Sequence, residues 1–82
     1  MNYNSPSGTA ARSIRLRLAD RSESIEALAE ATGIAHSTLK RRLKGLSAFT
    51  IDELDLIAQH FCTDLPSLLR PPFAEVPAKV SA

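Results

Sequence analysis

Apolar residues near the start of the chain recur at the spacing of one face of an α-helix. Ala11, Ile14 and Leu18 lie at positions i, i+3 and i+7, so the pattern predicts a first helix over residues 9–21. The preceding residues, MNYNSPSG, show no period and combine asparagine, serine, proline and glycine. Residues 1–8 are therefore predicted to form a flexible arm.

A second helix is predicted between a serine and a glycine. Ser24 precedes the segment IEALAEA, and its hydroxyl can accept a hydrogen bond from an amide of the first helical turn. Gly33 stands where a left-handed residue commonly ends a helix. Leu28 and Ala29, with Ile25 beside them, are predicted to face the core.

A third helix is predicted to begin near His36 and to end before Gly45. Leu39 and Leu43, with Leu46 just after the helix, lie at i, i+4 and i+7 and are predicted to point toward the core. The residue before this helix is an alanine, which has no side-chain oxygen to cap the first turn. Its start is therefore less strongly marked than that of the second helix.

The fourth helix has the strongest start signal. Thr50 and Glu53 have the spacing of a capping box, in which each side chain accepts a hydrogen bond from the backbone amide of the other. Phe49 and Leu54 flank this cap at the spacing of a hydrophobic staple. The positions predicted to face the core are Ile51, Leu54, Ile57, Ala58 and Phe61, and those predicted to face solvent are Asp52, Asp55 and Gln59.

The segment DLPSLL predicts a short final helix, with Leu68 and Leu69 facing inward. Residues 71–82 are rich in proline, have no period and are predicted to form a tail. No segment alternates apolar and polar residues as a half-buried strand would. The predicted fold class is all-α, with one compact domain of five helices over residues 9–70.

Charge is unevenly distributed along these helices, although the net charge of the 82-residue chain is only +1. Four arginines and a single acid lie between residues 12 and 21, and residues 36–44 hold four basic side chains and no acid. Acidic residues concentrate in the segments between and after these two. We therefore expect the fold to present a cationic face.

The second and third helices, joined by a turn that contains Gly33, are predicted to form a helix-turn-helix. With its leucines inward, the third helix presents a basic, convex side that fits a major groove about 12 Å wide. The residues predicted to read bases are His36, Ser37, Lys40 and Arg41. The residues predicted to contact DNA phosphates are Ser24, Arg42, Lys44, Arg12 and Arg15.

A solvated surface is the ordinary explanation of a basic helix face, and it stays open for Arg12 and Arg15. For the third helix, the surrounding pattern favours DNA. The segment LAEATGI before it has alanine, glycine and an aliphatic residue at helix-turn-helix spacing, and a capped helix follows. Double-stranded DNA is therefore the predicted partner.

Other chemistry is not indicated. Cys62 has no second thiol to pair with and is predicted to be a small buried hydrophobe. His60 is predicted to lie on the surface, on a different helical face from Cys62, so no metal site is expected. Because neither a spaced nucleophile, base and acid nor a glycine-rich phosphate loop is present, we predict no enzymatic activity, catalytic residue, cofactor or small-molecule substrate.

The chain begins without the basic and apolar segments of a signal peptide, and no apolar run has the length of a membrane span. These features predict a cytoplasmic protein that does not bind membranes. In a bacterial host, a DNA-binding protein of this kind would be associated with the nucleoid.

The segment SIEALAEATGIAHSTLKRRLKGLSAFTIDELDLIAQHFCTDLPSLL resembles the Cro and phage-repressor family, the lambda-repressor-like helix-turn-helix domains. The stretch RRLKGLSAFTIDEL is similar to small regulators of actinobacteria and their phages, among them immunity repressors and Cro-like proteins. This resemblance implies a five-helix fold, operator binding through the second helix of the motif, and a possible homodimer on a pseudo-palindromic site. Many members have an aliphatic residue where this chain has Arg42, and the apolar anchor here is Leu43 instead. We therefore expect Arg42 to lie nearer to DNA than the family pattern implies.

Two other functions remain open at this point. One is a protein-interaction module, such as an antitoxin or a phage-encoded inhibitor, and the other is a recombination factor that bends DNA. The apolar residues Leu56, Leu65, Phe73 and Val76 are compatible with a patch completed by a second subunit. They are equally compatible with burial under the final helix or the tail.

Overall fold

The computed structural model describes residues 5–70, in which the regular structure is helical and no strand occurs. The five helices are α1 (Pro6–Asp20), α2 (Ile25–Thr32), α3 (His36–Leu43), α4 (Ile51–His60) and α5 (Leu65–Leu68). The predicted all-α, five-helix class is therefore confirmed. The first four residues of the predicted arm, and the predicted tail over residues 71–82, lie outside the described residues.

The first helix begins three residues earlier than predicted. Ser5 is its N-cap and accepts a hydrogen bond from the backbone amide of Gly8 at 3.0 Å. Pro6 follows in the first turn, where its missing amide hydrogen is not needed and its fixed φ suits a helix. The prediction of a flexible arm was therefore wrong for residues 5–8, because the proline taken as a breaker serves as a helix start.

The caps of α2 and α4 are as predicted. Ser24 accepts from the amide of Ala27 at 3.0 Å. Thr50 accepts from the amide of Glu53 at 3.1 Å, and the carboxylate of Glu53 accepts from the amide of Thr50 at 2.9 Å, which completes the capping box. These side chains satisfy amides that a helix start leaves without an intrahelical partner.

The core forms where α2 packs against α3 and α4, and α1 packs against α3 and α5. Six large side chains in it are fully buried: Ile14, Leu28, Leu39, Leu43, Ile57 and Leu68. Ala10, Ala11, Ala29 and Ala58 are buried among them, and their small size allows close approach of neighbouring helices. No helix within residues 5–70 is long and apolar enough to cross a membrane.

Three apolar residues predicted to face the core are exposed instead. Leu46 is 65% exposed because α3 has already ended and the chain turns away at Gly45. Ile51, at 71% exposure, occupies the first turn of α4, and Leu69 follows the last turn of α5. Both line an open apolar groove that also includes Phe49. The spacing of apolar residues predicts burial up to and beyond the helix ends, but the core does not reach that far.

The prediction of a buried cysteine was also wrong. Cys62 is exposed and follows α4 in a left-handed conformation, with φ +57°. Its amide donates to the carbonyl of Gln59, and the amide of Thr63 donates to the carbonyl of Ala58, the paired bonds of a left-handed helix end. This backbone geometry directs the thiol outward.

Candidate nucleic-acid interface

The helix α3 has one side in the core and the opposite side in solvent. Leu39 and Leu43 have no exposed surface, and they fix which side faces inward. The residues exposed on the remaining surface are His36, Ser37, Lys40, Arg41 and Lys44. The predicted base-reading residues therefore share the exposed surface of one short helix, and Lys44 follows directly after its last turn.

The turn between α2 and α3 determines how these two helices are oriented relative to each other. Gly33 adopts φ +80° and its amide donates to the carbonyl of Ala29 at 2.9 Å, which ends α2. Thr32 donates its hydroxyl hydrogen to the carbonyl of Leu28 at 2.8 Å, another carbonyl near the end of the helix. Ile34 then packs against the core, and α3 begins two residues later. The predicted helix-turn-helix is confirmed.

Three cations on or directly after α3 are not neutralised by the acidic side chains that the structure describes. Lys40, Arg41 and Lys44 form no ion pair with any carboxylate of residues 5–70. The exposed acids Asp52 and Asp55 belong to α4. The surface of α3 can therefore attract a polyanion, since Lys and Arg side chains replace the counterions that surround nucleic-acid phosphates.

Arg42, predicted to contact phosphate, has its hydrogen-bond partners within the protein. Its Nε and Nη2 donate to Oε1 and Oε2 of Glu53 at 2.9 and 3.1 Å, and its Nη1 donates to Oγ of Ser47 at 2.9 Å. The two charged side chains are 21% and 17% exposed. Arg42 lies on the side of α3 next to α4 and forms a two-pronged ion pair that joins the two helices.

Both partners of this pair have shifted pKa values that favour the charged forms. The hydrogen bond to Glu53 raises the pKa of Arg42, against a smaller opposing effect of burial. Burial acts to raise the pKa of Glu53, but hydrogen bonds from Arg42 and from the amide of Thr50 together lower it below its ordinary value. The pair therefore remains ionised at neutral pH.

Arg15 also has a partner within the protein. Its Nε and Nη2 donate to the carbonyl oxygen of Leu43 at 3.1 and 2.8 Å, so the side chain reaches from α1 to the last residue of α3. The last carbonyls of a helix lack intrahelical donors, and a cation there also interacts favourably with the helix dipole. Arg15 therefore caps the end of α3, and its predicted contact with phosphate stays a prediction.

Besides Lys44, two of the predicted phosphate contacts, Arg12 and Ser24, lie on the surface. Arg12 is exposed on α1. Ser24 is exposed at the start of α2, where its oxygen already accepts the capping hydrogen bond and its hydroxyl hydrogen can still be donated. An anion near this helix start would interact favourably with the positive end of its dipole.

A second polar cluster joins the turn after α1 to the end of α4. Glu23 is close to His60, with Oε2 and Nε2 2.5 Å apart, and its Oε1 is 3.4 Å from Nε of Arg21. The guanidinium of Arg21 also lies 5.1 Å from the ring centre of Phe61. His60 thus binds a carboxylate of its own chain. Among residues 5–70, no group of three His, Cys, Asp or Glu side chains could hold a metal ion.

Sequence reasoning did not identify the link between Arg42 and Glu53. The capping box signalled that Glu53 lies at a helix start, but its second role depends on the path of the turn after α3. The bond from Arg15 to Leu43 was missed because a backbone acceptor leaves no mark in the sequence.

Comparison with protein families places most of the chain in a described family. A family model described as "Cro/C1-type HTH DNA-binding domain" matches residues 13–72, which is most of the chain and includes all of α2, α3, α4 and α5. Comparisons with curated proteins and with solved structures found no match.

Proposed function

Because the chain belongs to the family of Cro/C1-type helix-turn-helix DNA-binding domains, we propose that it is a transcriptional regulator that represses by occupying an operator. In this proposal α3 enters the major groove and the bound protein denies the site to RNA polymerase. The observation that carries it is the orientation of α3. Leu39 is fully buried, while Lys40 and Arg41 are exposed and form no ion pair within residues 5–70.

Each exposed side chain of α3 has an assigned role. The guanidinium of Arg41 donates two hydrogen bonds to O6 and N7 of a guanine, the commonest specific contact in the major groove. Lys40 reaches a guanine or a phosphate, and His36 and Ser37 at the helix start reach bases or the backbone. Lys44 binds phosphate and adds affinity without sequence information.

Two contacts outside α3 complete the proposed interface. Ser24, at the start of α2, donates its hydroxyl hydrogen to a phosphate oxygen, and Arg12 on α1 supplies further positive charge. Arg15 and Arg42 are omitted because their guanidinium groups bind Leu43 and Glu53.

The biological setting follows the resemblance of the sequence to small phage and actinobacterial regulators. We propose a phage or prophage repressor, or a Cro-like protein, that acts on the nucleoid in the bacterial cytoplasm. A homodimer would bind two half-sites of a pseudo-palindromic operator. No catalytic step is included, since DNA-binding domains of this family are typically non-enzymatic.

The first test is selection of duplexes by the full 82-residue chain from a randomised pool, followed by footprinting on DNA that flanks its own gene. We expect one sequence to be enriched and protected. Two protected half-sites about one helical turn apart would indicate a dimer. Failure to enrich any sequence would contradict a role in operator recognition.

The second test is the salt dependence of affinity for the enriched duplex. Several Lys and Arg contacts with phosphates require the affinity to fall steeply between about 50 and 200 mM salt. Affinity for DNA that is weak and insensitive to salt would instead favour a protein-interaction module. A strong bend in the bound duplex, measured by circular-permutation gel shift, would favour a recombination factor.

A further inference from the structure

The ion pair between Arg42 and Glu53 lies immediately beside the proposed base-reading residues. Arg42 follows Arg41 in sequence, and successive helical residues differ by about 100° in direction. Arg41 therefore faces solvent while Arg42 turns toward α4, where Glu53 and Ser47 accept its hydrogen bonds. Any rotation of α3 about its axis changes the directions of both arginines together.

Glu53 is a rigid partner for this contact. Its Oε1 accepts from Nε of Arg42 and also from the backbone amide of Thr50, both at 2.9 Å. The helix that carries it is fixed in the core by Leu54 and Ile57. The carboxylate is thus immobilised at the start of α4 and transmits the position of that helix to α3.

The other contacts of α3 do not fully fix its rotation about its own axis. The helix has only eight residues, and its N-cap, Ala35, makes no side-chain hydrogen bond. Leu39 and Leu43 determine which side of the helix faces the core, but apolar contacts are not directional and set its rotation only coarsely. Arg15 restrains only the carbonyl of the last residue. A two-pronged pair between a guanidinium and a carboxylate has a defined geometry that can fix the rotation of the helix.

Building on the proposed function, we propose that Glu53 is a positioning residue for base recognition. Through Arg42 it fixes the rotation of α3, so that Lys40 and Arg41 meet the edges of the bases. Binding sites need this precision, since side chains must lie within about 0.5 Å of the productive geometry. Loss of the pair should therefore reduce discrimination between sequences more than it reduces general affinity for DNA.

The experiment measures the affinity of the full chain for two probes, the enriched duplex and the unselected random pool. Glu53→Gln keeps an oxygen for the amide of Thr50 but removes the charge that Arg42 binds. We expect the ratio of the two affinities to fall about tenfold, comparable to the loss of one base contact. Affinity for the random pool should change less than about threefold. The matched control is Asp52→Asn, which removes an exposed charge from the same turn of α4 and should leave the ratio unchanged.

Two further variants test whether Glu53 acts through Arg42. Arg42→Lys keeps the positive charge but loses the planar fork, so it should lower the ratio as Glu53→Gln does. A phosphate ligand at this position would tolerate lysine, and an unchanged ratio in Arg42→Lys would overturn the inference. In an Arg42→Gln background, Glu53→Gln should have no further effect on the ratio, because the two residues act as one unit.

Folding is checked by thermal unfolding of each variant, with binding measured well below its midpoint. Equal losses on both probes would show that the pair serves stability or charge alone, and would overturn the inference while leaving the proposed function intact. If the natural chain enriches no duplex and its binding does not depend on salt, the proposed function and this inference fall together.

Discussion

Backbone handedness at the ends of α2 and α4 leads to a pair of predictions with opposite signs. Gly33 ends α2 with φ +80°, and Cys62 follows α4 with φ +57°. A left-handed conformation costs an L-residue roughly 1–2 kcal/mol, whereas glycine adopts it without strain. Replacing Gly33 with alanine introduces this strain, and replacing Cys62 with glycine removes it.

The surroundings of the two residues set the magnitudes. A Cβ atom at Gly33 would meet nothing within 4 Å, so Gly33→Ala adds backbone strain without a clash. Alanine also restricts the unfolded chain, which offsets about 0.4–1 kcal/mol, and we expect a net loss of about 1 kcal/mol. Cys62 is exposed, so Cys62→Gly loses little packing. The greater conformational entropy of glycine in the unfolded chain offsets part of the relieved strain, so the free energy of unfolding should rise by about 0.5–1 kcal/mol.

The assay is unfolding of the full chain by urea and by heat, monitored by the circular dichroism signal of its helices. For a domain of this size, 1 kcal/mol shifts the melting temperature by about 4–8 °C. Gly33→Asn is the control for alanine, because asparagine tolerates the left-handed region. Cys62→Ala removes the sulfur but keeps the Cβ atom. If Cys62→Gly were no more stable than Cys62→Ala, or Gly33→Asn as unstable as Gly33→Ala, backbone strain would not be the cause.

Three further predictions concern α3 and α4. Arg41→Ala should lose about 1–3 kcal/mol of binding free energy on the enriched duplex and relax the specificity of binding. Lys44→Ala should weaken binding to all duplexes alike and reduce the slope of log affinity against log salt concentration by about one. Equilibrium binding at several salt concentrations separates the two outcomes. Thr50→Ala should destabilise the fold by about 1 kcal/mol in urea unfolding, and Thr50→Ser, which keeps the capping oxygen, should not. Because the pKa of Glu53 is lowered in the folded state, its ionised form stabilises the protein above its unfolded pKa and this stabilisation is lost as the pH falls through the folded value. The stability gap between the natural chain and Glu53→Gln at about pH 7 should therefore narrow at about pH 3, and a gap independent of pH would count against the ion pair as its source.

Local signals in the sequence predicted the helices well where a cap or a stop is formed by neighbouring residues. Ser24, Thr50 and Gly33 each act within four residues of their own position, so residue type and spacing were sufficient. The start of α1 was missed because Ser5 and Pro6 also suit a loop. Only the packing of α1 against the rest of the domain decides between the two.

The sequence predicted which residues of α3 are exposed, but it did not predict the partners of Arg42 and Arg15. Burial of Leu39 determines which residues of α3 face solvent, and this follows from helical periodicity. The fate of each cation depends instead on what the chain brings near it. Arg42 and Arg15 looked like phosphate ligands, but their partners lie 11 and 28 residues away, a separation that periodicity does not report.

Side chains at the helix ends were the other source of error. Cys62 was expected in the core because cysteine is usually buried, yet a left-handed backbone at a residue other than glycine has no sequence signature. Ile51 continues the apolar stripe of α4, but the stripe extends one turn beyond the core.

The placement of Glu53 outside α3 has a consequence for attempts to retarget proteins of this family. If Glu53 positions α3 as we propose, a designer who exchanges only positions 36, 37, 40 and 41 keeps the ion pair between Arg42 and Glu53, and the new side chains take the original docking angle. Transplanting the whole of α3 from a relative with an aliphatic residue at position 42 would strand Glu53 without its cation. On the proposed role of Glu53, such a chimera should need a matching change at position 53 to present the donor's residues to DNA at the intended angle.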